Sequence, residues 1–548
     1  MAEHPRPAGT AGLLLAFALV VATVLLVLAL ASVEFQPTLN SDYLLAHVFA
    51  HGLGDPVHPV SGWKFGSTAF WFPDYVIYLP LYELCGNSGW SYPLYAVVIF
   101  LLLGATMAWS LAAAGVQKTW AAIAGFLALD VILLGQFIPG HAPWLWELGI
   151  PAYHGGNLVN GFALLAITLT VVRNGQWSRG YSISVVAWMT LGLVSNALLL
   201  FHWMVPLAFA LGWQSRRTPA LRAVSAGFMR RAALALGLAL SLQAVFAATG
   251  WFLFYRLFRE WPLPTLVWGS LTQFFTDFFA HGLFRSQWLF WTLAAAAALV
   301  AAHGLRTRKE NPPNAATQVA FTAVLGGLAL AWATPIAAIY WHDATSFRYL
   351  LNWLVAPAWL LTLWLCAKPS RTRWLAIATP AMVLLGAVLA IPRIEAAKLV
   401  FPNSPEALAL RDYCAQRGLR EGLADYWTGH SLNVAWDFNG PSLSNVRDKD
   451  FAYFWGNNVF TYFPAAVNQP GLRRPAPQFV LLRGLDREIL TQWLGDGPLH
   501  IEKAGSYDIA LLSAEQTRRA GELITAQAED ALQGRRAQWL NSQLPPAP

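Results

Sequence analysis

The chain has 548 residues, 56% of them hydrophobic and only 12% charged, with a mean hydropathy of +0.44. A soluble domain carries about 25% charged residues, so a soluble globular protein is excluded. The net charge of +7 reads as membrane topology rather than nucleic-acid affinity.

The first apolar run, from about Ala11 to Ser32, is longer than a signal-peptide core and is preceded by a single basic residue, Arg6. It reads as a retained span rather than a cleaved leader. Runs long enough to cross a bilayer recur down to residue 392 and give about eleven spans. They lie near 11–33, 94–114, 119–138, 157–172, 181–194, 197–213, 232–252, 288–304, 318–338, 349–366 and 374–392. The segment 181–213 is too long for one crossing and short for two, with Ser195-Asn196 as the candidate break. Charge decides it. With a hairpin there and the N-terminus inside, the inner loops hold 15 Lys/Arg and 2 acids, and the outer loops 5 Lys/Arg and 9 acids. A single span would send Arg306, Arg308, Lys309, Arg371 and Arg373 outward, against the positive-inside rule.

Eleven spans place the C-terminal part outside. That tail, 393–548, holds 16 of the 36 basic and 17 of the 29 acidic residues. Segments 478–484 and 507–513 read as strands, and a polar helix is expected over 514–539. The expected architecture is mainly α: a transmembrane bundle over 1–392 with a long first outer loop (34–93), N-terminus in and C-terminus out, and a small extracytoplasmic α/β domain over 393–548. Cys85, Cys366 and Cys414 form no metal-binding spacing or disulfide framework and are expected to be free thiols.

The residues able to do chemistry gather on the outer side. The first loop brings Asp42, His47, His51, Asp55, Lys64 and Asp74; the second, Glu147, Tyr153 and His154; the last, His342, Asp343 and Arg348. Helix N-termini there offer free N–H groups and partial positive charge. Gly155-Gly156, opening the fourth span, would let a ligand approach the backbone closely. Thr345-Ser346 are expected to cap the tenth span, with Arg348 in its first turn. Arg348 and His342 suit a phosphate, against the blander reading in which Arg348 snorkels or pairs with Asp343.

Asp42 has three competing readings besides catalysis. Ser41-Asp42 fits a cap before an amphipathic helix carrying Leu44, Leu45, Val48 and Phe49. His47 and His51 at i, i+4 could bind zinc with Asp42 or Asp55, but no Glu follows His47 in the zinc-protease pattern. Simple solvation suits Asp55 and Asp74 better. Asp130, near the middle of the third span, needs a partner or a proton; Asn196, His202 and Gln243 are expected to bond between helices.

An acid shortly after the first span ("NSDYLLAH", 40–47), an amphipathic helix behind it, a late-loop "DATSFRYLL" (343–351) and an outer C-terminal domain together resemble the GT-C glycosyltransferase superfamily. The chain lacks the Trp-Trp-Asp motif of oligosaccharyltransferases and the paired Asp-Glu of protein O-mannosyltransferase-like members. The resemblance implies a glycosyltransferase that moves a sugar from a polyprenyl-phosphate carrier to an extracytoplasmic glycan, lipid or protein. Asp42 would be the general base, and Arg348, His342, Asp343, Lys64, His154 and Tyr349 would bind substrate. No cofactor is expected, a divalent metal is not favoured, and the setting is a bacterial inner membrane with the site facing the periplasm. The partners are the lipid-linked donor, the acceptor and membrane lipids, not nucleic acid. A transporter or flippase of a lipid-linked molecule, and a non-catalytic membrane scaffold, are the alternatives.

Overall fold

The computed structural model describes residues 9–38, 41–53, 63–64, 70–138, 144–248, 264–279, 288–306, 314–337, 350, 352–366, 378–402, 404–447, 451–452, 457–458, 476–495 and 497–527. Each of the eleven expected spans falls on a helix in its described part, the third ending at Gly135, short of the expected 138. Those long and apolar enough to cross a membrane are α1 (Thr10–Thr38), α4 (Ser91–Ala114), α5 (Lys118–Gly135), α6 (Gly155–Asn174), α9 (Arg222–Ala248) and α12 (Ala315–Ala337). The others are α7 (Arg179–Ser195), α8 (Val205–Arg217), α11 (Trp288–Arg306), α13 (Asn352–Cys366) and α14 (Ala378–Ala390). Between spans lie α2 (Ser41–Leu53), α3 (Val76–Cys85) and α10 (Pro264–Phe279). The protein is an integral, multi-pass membrane protein.

The break at Ser195-Asn196 is present. Asn196 leaves helical geometry (φ −152, ψ 109), and its side chain accepts from the N–H of Leu198 at 3.0 Å. Asn196 therefore builds the turn rather than bonding between helices. The first loop fills the break: Phe70 N–H donates to the Ser195 carbonyl at 3.0 Å, and Phe72 N–H to its hydroxyl at 2.6 Å. Those contacts place 70–72 and 195–196 at one end of the bundle, the loop-rich end. At the other, basic end, Arg173 on α6 donates to the Ala112 carbonyl of α4, and Thr317 on α12 to that of Ala114. Gly175 closes α6 there with φ +73, its N–H on the Val171 carbonyl. That left-handed position is one that glycine takes without a Cβ penalty.

Polar groups inside the bundle find partners on neighbouring helices. Thr23 of α1 donates to Asp130 of α5 at 2.6 Å, and Trp359 of α13 to the Met107 carbonyl of α4 at 3.2 Å. His202 lies 3.5 Å from the Asn157 amide of α6. With no water in the hydrocarbon, such pairing is obligatory.

The C-terminal part contains a six-stranded sheet. Its strands are β2 (Glu421–Asp425), β3 (Ser442–Arg447), β4 (Phe451–Ala452), β6 (Phe479–Leu481), β7 (His500–Ala504) and β8 (Tyr507–Leu511), in the order β4-β3-β2-β6-β8-β7. A separate two-residue bridge joins β1 (Trp63–Lys64) to β5 (Asn457–Asn458), Trp63 opposite Asn458. β2 runs parallel to both β3 and β6, with Glu421 opposite Ser442 and Gly422 opposite Phe479; β4, β7 and β8 pair antiparallel. Alternation along the strands supplies two apolar faces. Leu423, Val480 and Ala510 pack under α17 (Arg487–Leu494) and the helix covering 514–527, whereas Ala424, Leu481 and Ile509 pack under α15 (Pro405–Gln416) and α16 (Tyr426–Ala435). Side-chain caps start these helices: Ser404 accepts from Ala407 N–H and Asp425 from Trp427 N–H. The three cysteines are free thiols.

Candidate active site at the bundle–domain junction

The helix expected behind Asp42 is α2, and Asp42 sits in its first turn, half-buried. α16 of the C-terminal domain packs on α2. Across that contact the Tyr426 hydroxyl donates to Asp42 Oδ1 at 2.9 Å. Tyr426 follows the last residue of β2, at the carboxyl edge of the parallel strands and beside the β2–β6 boundary where the chain's connections reverse direction. Open α/β sheets bind ligands at such an edge. The aromatic seam is continuous: His51 stacks on Phe438 with centroids 3.7 Å apart, and His47 meets Phe401 edge-on at 4.7 Å.

Three carboxylates at this end accept from tyrosine hydroxyls: Asp42 from Tyr426, Glu147 from Tyr43 at 2.9 Å, and Asp74 from Tyr95. They differ in access. Asp74 is 3% exposed and Glu147 8%, whereas Asp42 is half-buried. Of the three, Asp42 is the most accessible.

Asp74 corrects two sequence expectations. It is not a solvated loop acid, and the Gly155-Gly156 opening of α6 is filled by Asp74 rather than left for a ligand. Its carboxylate also accepts from the backbone N–H of Gly156, at the positive end of α6. A Cβ on Gly156 would stand 2.1 Å from Asp74 Oδ2. Burial pushes the Asp74 carboxyl up to about 6, against the opposing effect of its hydrogen bonds to Tyr95 and the backbone. The signal that could have found it was the pairing of an acid inside an aromatic stretch, "FWFPDYVIY", with a Gly-Gly helix start.

His47 is 1% exposed, with Nδ1 3.0 Å from the Tyr78 hydroxyl, and burial lowers it to about 3, so it is neutral near pH 7. His51 Nδ1 lies 3.3 Å from the Tyr82 hydroxyl. The pair packs and hydrogen-bonds rather than presenting two nitrogens to one ion. Among the described residues, no three His, Cys, Asp or Glu side chains group to hold a metal. His154 precedes α6, its ring 4.5 Å from Tyr153, which meets Tyr43 edge-on at 5.2 Å; His154 is thus two rings from the residue next to Asp42. Lys64 lies in β1, opposite Asn457. His342, Asp343, Arg348 and Tyr349, with the Thr345-Ser346 cap, lie outside the described residues, as does Asp55.

A cleft of about 420 Å³ opens between the bundle and the domain, lined by Trp427, the neighbour of Tyr426, but not by Asp42 itself. Gln36 and Leu44 line one side; Trp427, Ser431, Arg483 and Tyr507 line the other. Trp427 is 53% exposed, and its ring lies 5.2 Å from that of Tyr426. An exposed indole, hydroxyls and a guanidinium form a lining suited to a polyhydroxylated ligand.

Fold and junction together define a class: a helical integral membrane protein carrying an α/β domain over a half-buried acid at one end of its bundle. No family model and no curated protein sequence matches the chain. Among solved structures it is similar to the crystal structure of ArnT from Cupriavidus metallidurans bound to undecaprenyl phosphate. The identity is 14% and the TM-score 0.42, with 93% of this chain and 99% of that one covered.

Proposed function

We propose that the protein is a membrane glycosyltransferase that moves a sugar from a polyprenyl-phosphate carrier to a hydroxyl of an extracytoplasmic glycan, lipid or protein. The observation that carries this reading is the position of Asp42: just after the first span, within hydrogen-bond reach of the C-terminal domain, and the most accessible of three tyrosine-held acids. In the proposed reaction Asp42 Oδ2 takes the acceptor proton while Tyr426 holds Oδ1. The acceptor oxygen bonds to the sugar's anomeric carbon, the bond from that carbon to the phosphate oxygen breaks, and polyprenyl phosphate leaves with the electron pair. Arg348, His342 and Lys64 are the cations proposed for the leaving phosphate, Asp343 and Tyr349 flank Arg348 in that loop, and His154 borders the acceptor side. The cleft lined by Trp427 and Arg483 is the proposed acceptor entrance. Apolar helices supply the lipid-facing surface a polyprenyl tail needs.

The test is sugar transfer from a panel of polyprenyl-phosphate sugars by purified wild type and Asp42→Asn. Asparagine keeps an acceptor for Tyr426, so the variant should fold and lose at least about 100-fold in rate, the scale of a lost general base. An unchanged rate would remove Asp42 from catalysis. A wild type inactive with every donor, yet flipping one across a vesicle bilayer, would favour the transporter alternative.

A further inference from the structure

At the basic end of the bundle, opposite the proposed catalytic junction, α7 and α9 diverge around a groove of about 880 Å³. Its mouth holds Trp177, Arg230 and Arg231; its walls are apolar and include Ile183, Leu191 and Leu234. Arg231 is fixed there. Its guanidinium lies 4.4 Å over the Trp177 ring, donates to the Ser182 hydroxyl at 2.6 Å and to the Gly227 carbonyl at 2.8 Å, and its Nε is buried with no hydrogen-bond partner. Trp177 is itself held by its indole N–H on the Val224 carbonyl at 3.0 Å.

No acid lies close to these cations in the sequence. The chain contains no Asp or Glu between Glu147 and Glu260, a stretch that includes Arg173, Arg179, Arg216, Arg217, Arg222, Arg230 and Arg231. No ion pair to Arg230 or Arg231 is present among the described residues. A topological marker needs only positive charge in a loop. Here one guanidinium is locked by an indole and a hydroxyl at the end of a groove that continues toward the middle of the membrane. From Ser182 to Leu191 the groove follows α7 for about 13 Å at 1.5 Å per residue, enough for the upper part of an acyl chain. Phosphate at the cationic mouth and hydrocarbon along an apolar wall belong to one molecule.

We propose that this groove is a binding site for an anionic phospholipid, its headgroup phosphate on Arg230 and Arg231 and one acyl chain between α7 and α9. Basic pockets between membrane helices on the positive side recognise anionic headgroups in this way. The inference rests on the membrane placement of the helices and is independent of the reaction at the other end.

The experiment uses the full chain, delipidated in detergent and titrated with phosphatidylglycerol or phosphatidylcholine under native mass spectrometry. Wild type should retain one phosphatidylglycerol molecule in preference to phosphatidylcholine. Arg230→Gln with Arg231→Gln should weaken that retention on the order of 30-fold, at about a fivefold change per cation near the surface. Arg216→Gln with Arg217→Gln removes equal charge at the same end but outside the groove, and should leave retention within about twofold. Equal retention of the two lipids, or equal losses in the two double variants, overturns the proposal. A photoactivatable phosphatidylglycerol on wild type needs no variant to fold. Label concentrated in 177–191 and 223–238 supports the site, and label spread evenly over the spans refutes it.

Discussion

Gly156→Ala should be among the most damaging small substitutions in this chain, for a reason that can be isolated. The new Cβ would lie 2.1 Å from Asp74 Oδ2 and 2.6 Å from Pro73 Cδ, where ordinary contact begins at 3.4 Å. The acid cannot slide away easily. Its segment is pinned by Phe70 and Phe72 N–H groups on Ser195 and by the Asn160 amide on the Phe72 carbonyl at 3.1 Å. Overpacking of this kind costs about 1–3 kcal/mol. Pulling a buried carboxylate off the helix N–H costs about 1–3 kcal/mol more, and alanine's better helix propensity returns at most about 1 kcal/mol. The expected loss is therefore about 3 kcal/mol. Asp74→Ala alone strands the Tyr95 hydroxyl and the Gly156 N–H and should cost about 2 kcal/mol. In the double variant the closest clash, with Oδ2, is gone and only the Pro73 contact remains, so its loss should fall below the sum of the two singles by about 2 kcal/mol. Unfolding in mixed detergent–SDS micelles, followed by circular dichroism, measures all four proteins. Additive losses, or a Gly156→Ala loss below about 1 kcal/mol, would show that Asp74 does not cap α6.

Tyr426→Phe keeps the ring contacts with Trp427 and His430, both at 5.2 Å, and removes only the hydroxyl on Asp42. Transfer should slow about tenfold in kcat with KM within about twofold, the mark of a positioning residue acting through the base; an unchanged kcat, or a loss confined to KM, would refute that role. Burial lowers His47 to about 3 from an unfolded value of 6.5, so the unfolded chain takes the proton first. This stabilising contribution is complete above pH 6.5 and is lost as pH falls toward 3; His430, lowered by burial to about 4, acts with the same sign. Between pH 7 and about pH 5, wild type should lose roughly 2 kcal/mol more stability than His47→Gln, and identical losses in the micelle assay would contradict the buried, neutral imidazole.

The helices of the bundle were legible because hydropathy is a local, additive signal. The hairpin at Ser195-Asn196 was the hard case, because length alone allowed one helix or two; arginine placement favoured the break, and the backbone breaks at Asn196. One start differs by ten residues. The seventh span was expected from 232, yet α9 starts at Arg222, since Arg230 and Arg231 satisfy themselves on helix carbonyls and on Trp177 without ending the helix. The burial of Asp74 was missed for a different reason. An acid in a loop is solvated unless distant residues bury it, and here the burying groups are Tyr95 and Gly156, on two helices whose approach no local pattern encodes.

The same argument explains why Asp42 was visible as a candidate while its partner was not. Position after the first span is a one-dimensional property, but the Tyr426 contact spans 384 residues of sequence and exists only because a βα unit places its carboxyl edge over α2. The choice of tyrosine has a chemical consequence. A guanidinium on Oδ1 would orient the carboxylate and also neutralise it, weakening it as a proton acceptor. A phenol orients it and leaves the charge. Glu147 and Asp74 show that a tyrosine partner alone does not define a base, since both are held in the same way and are buried. In the proposed reaction a base at this end needs both phenol orientation and access, and Asp42 is the most accessible of the three acids.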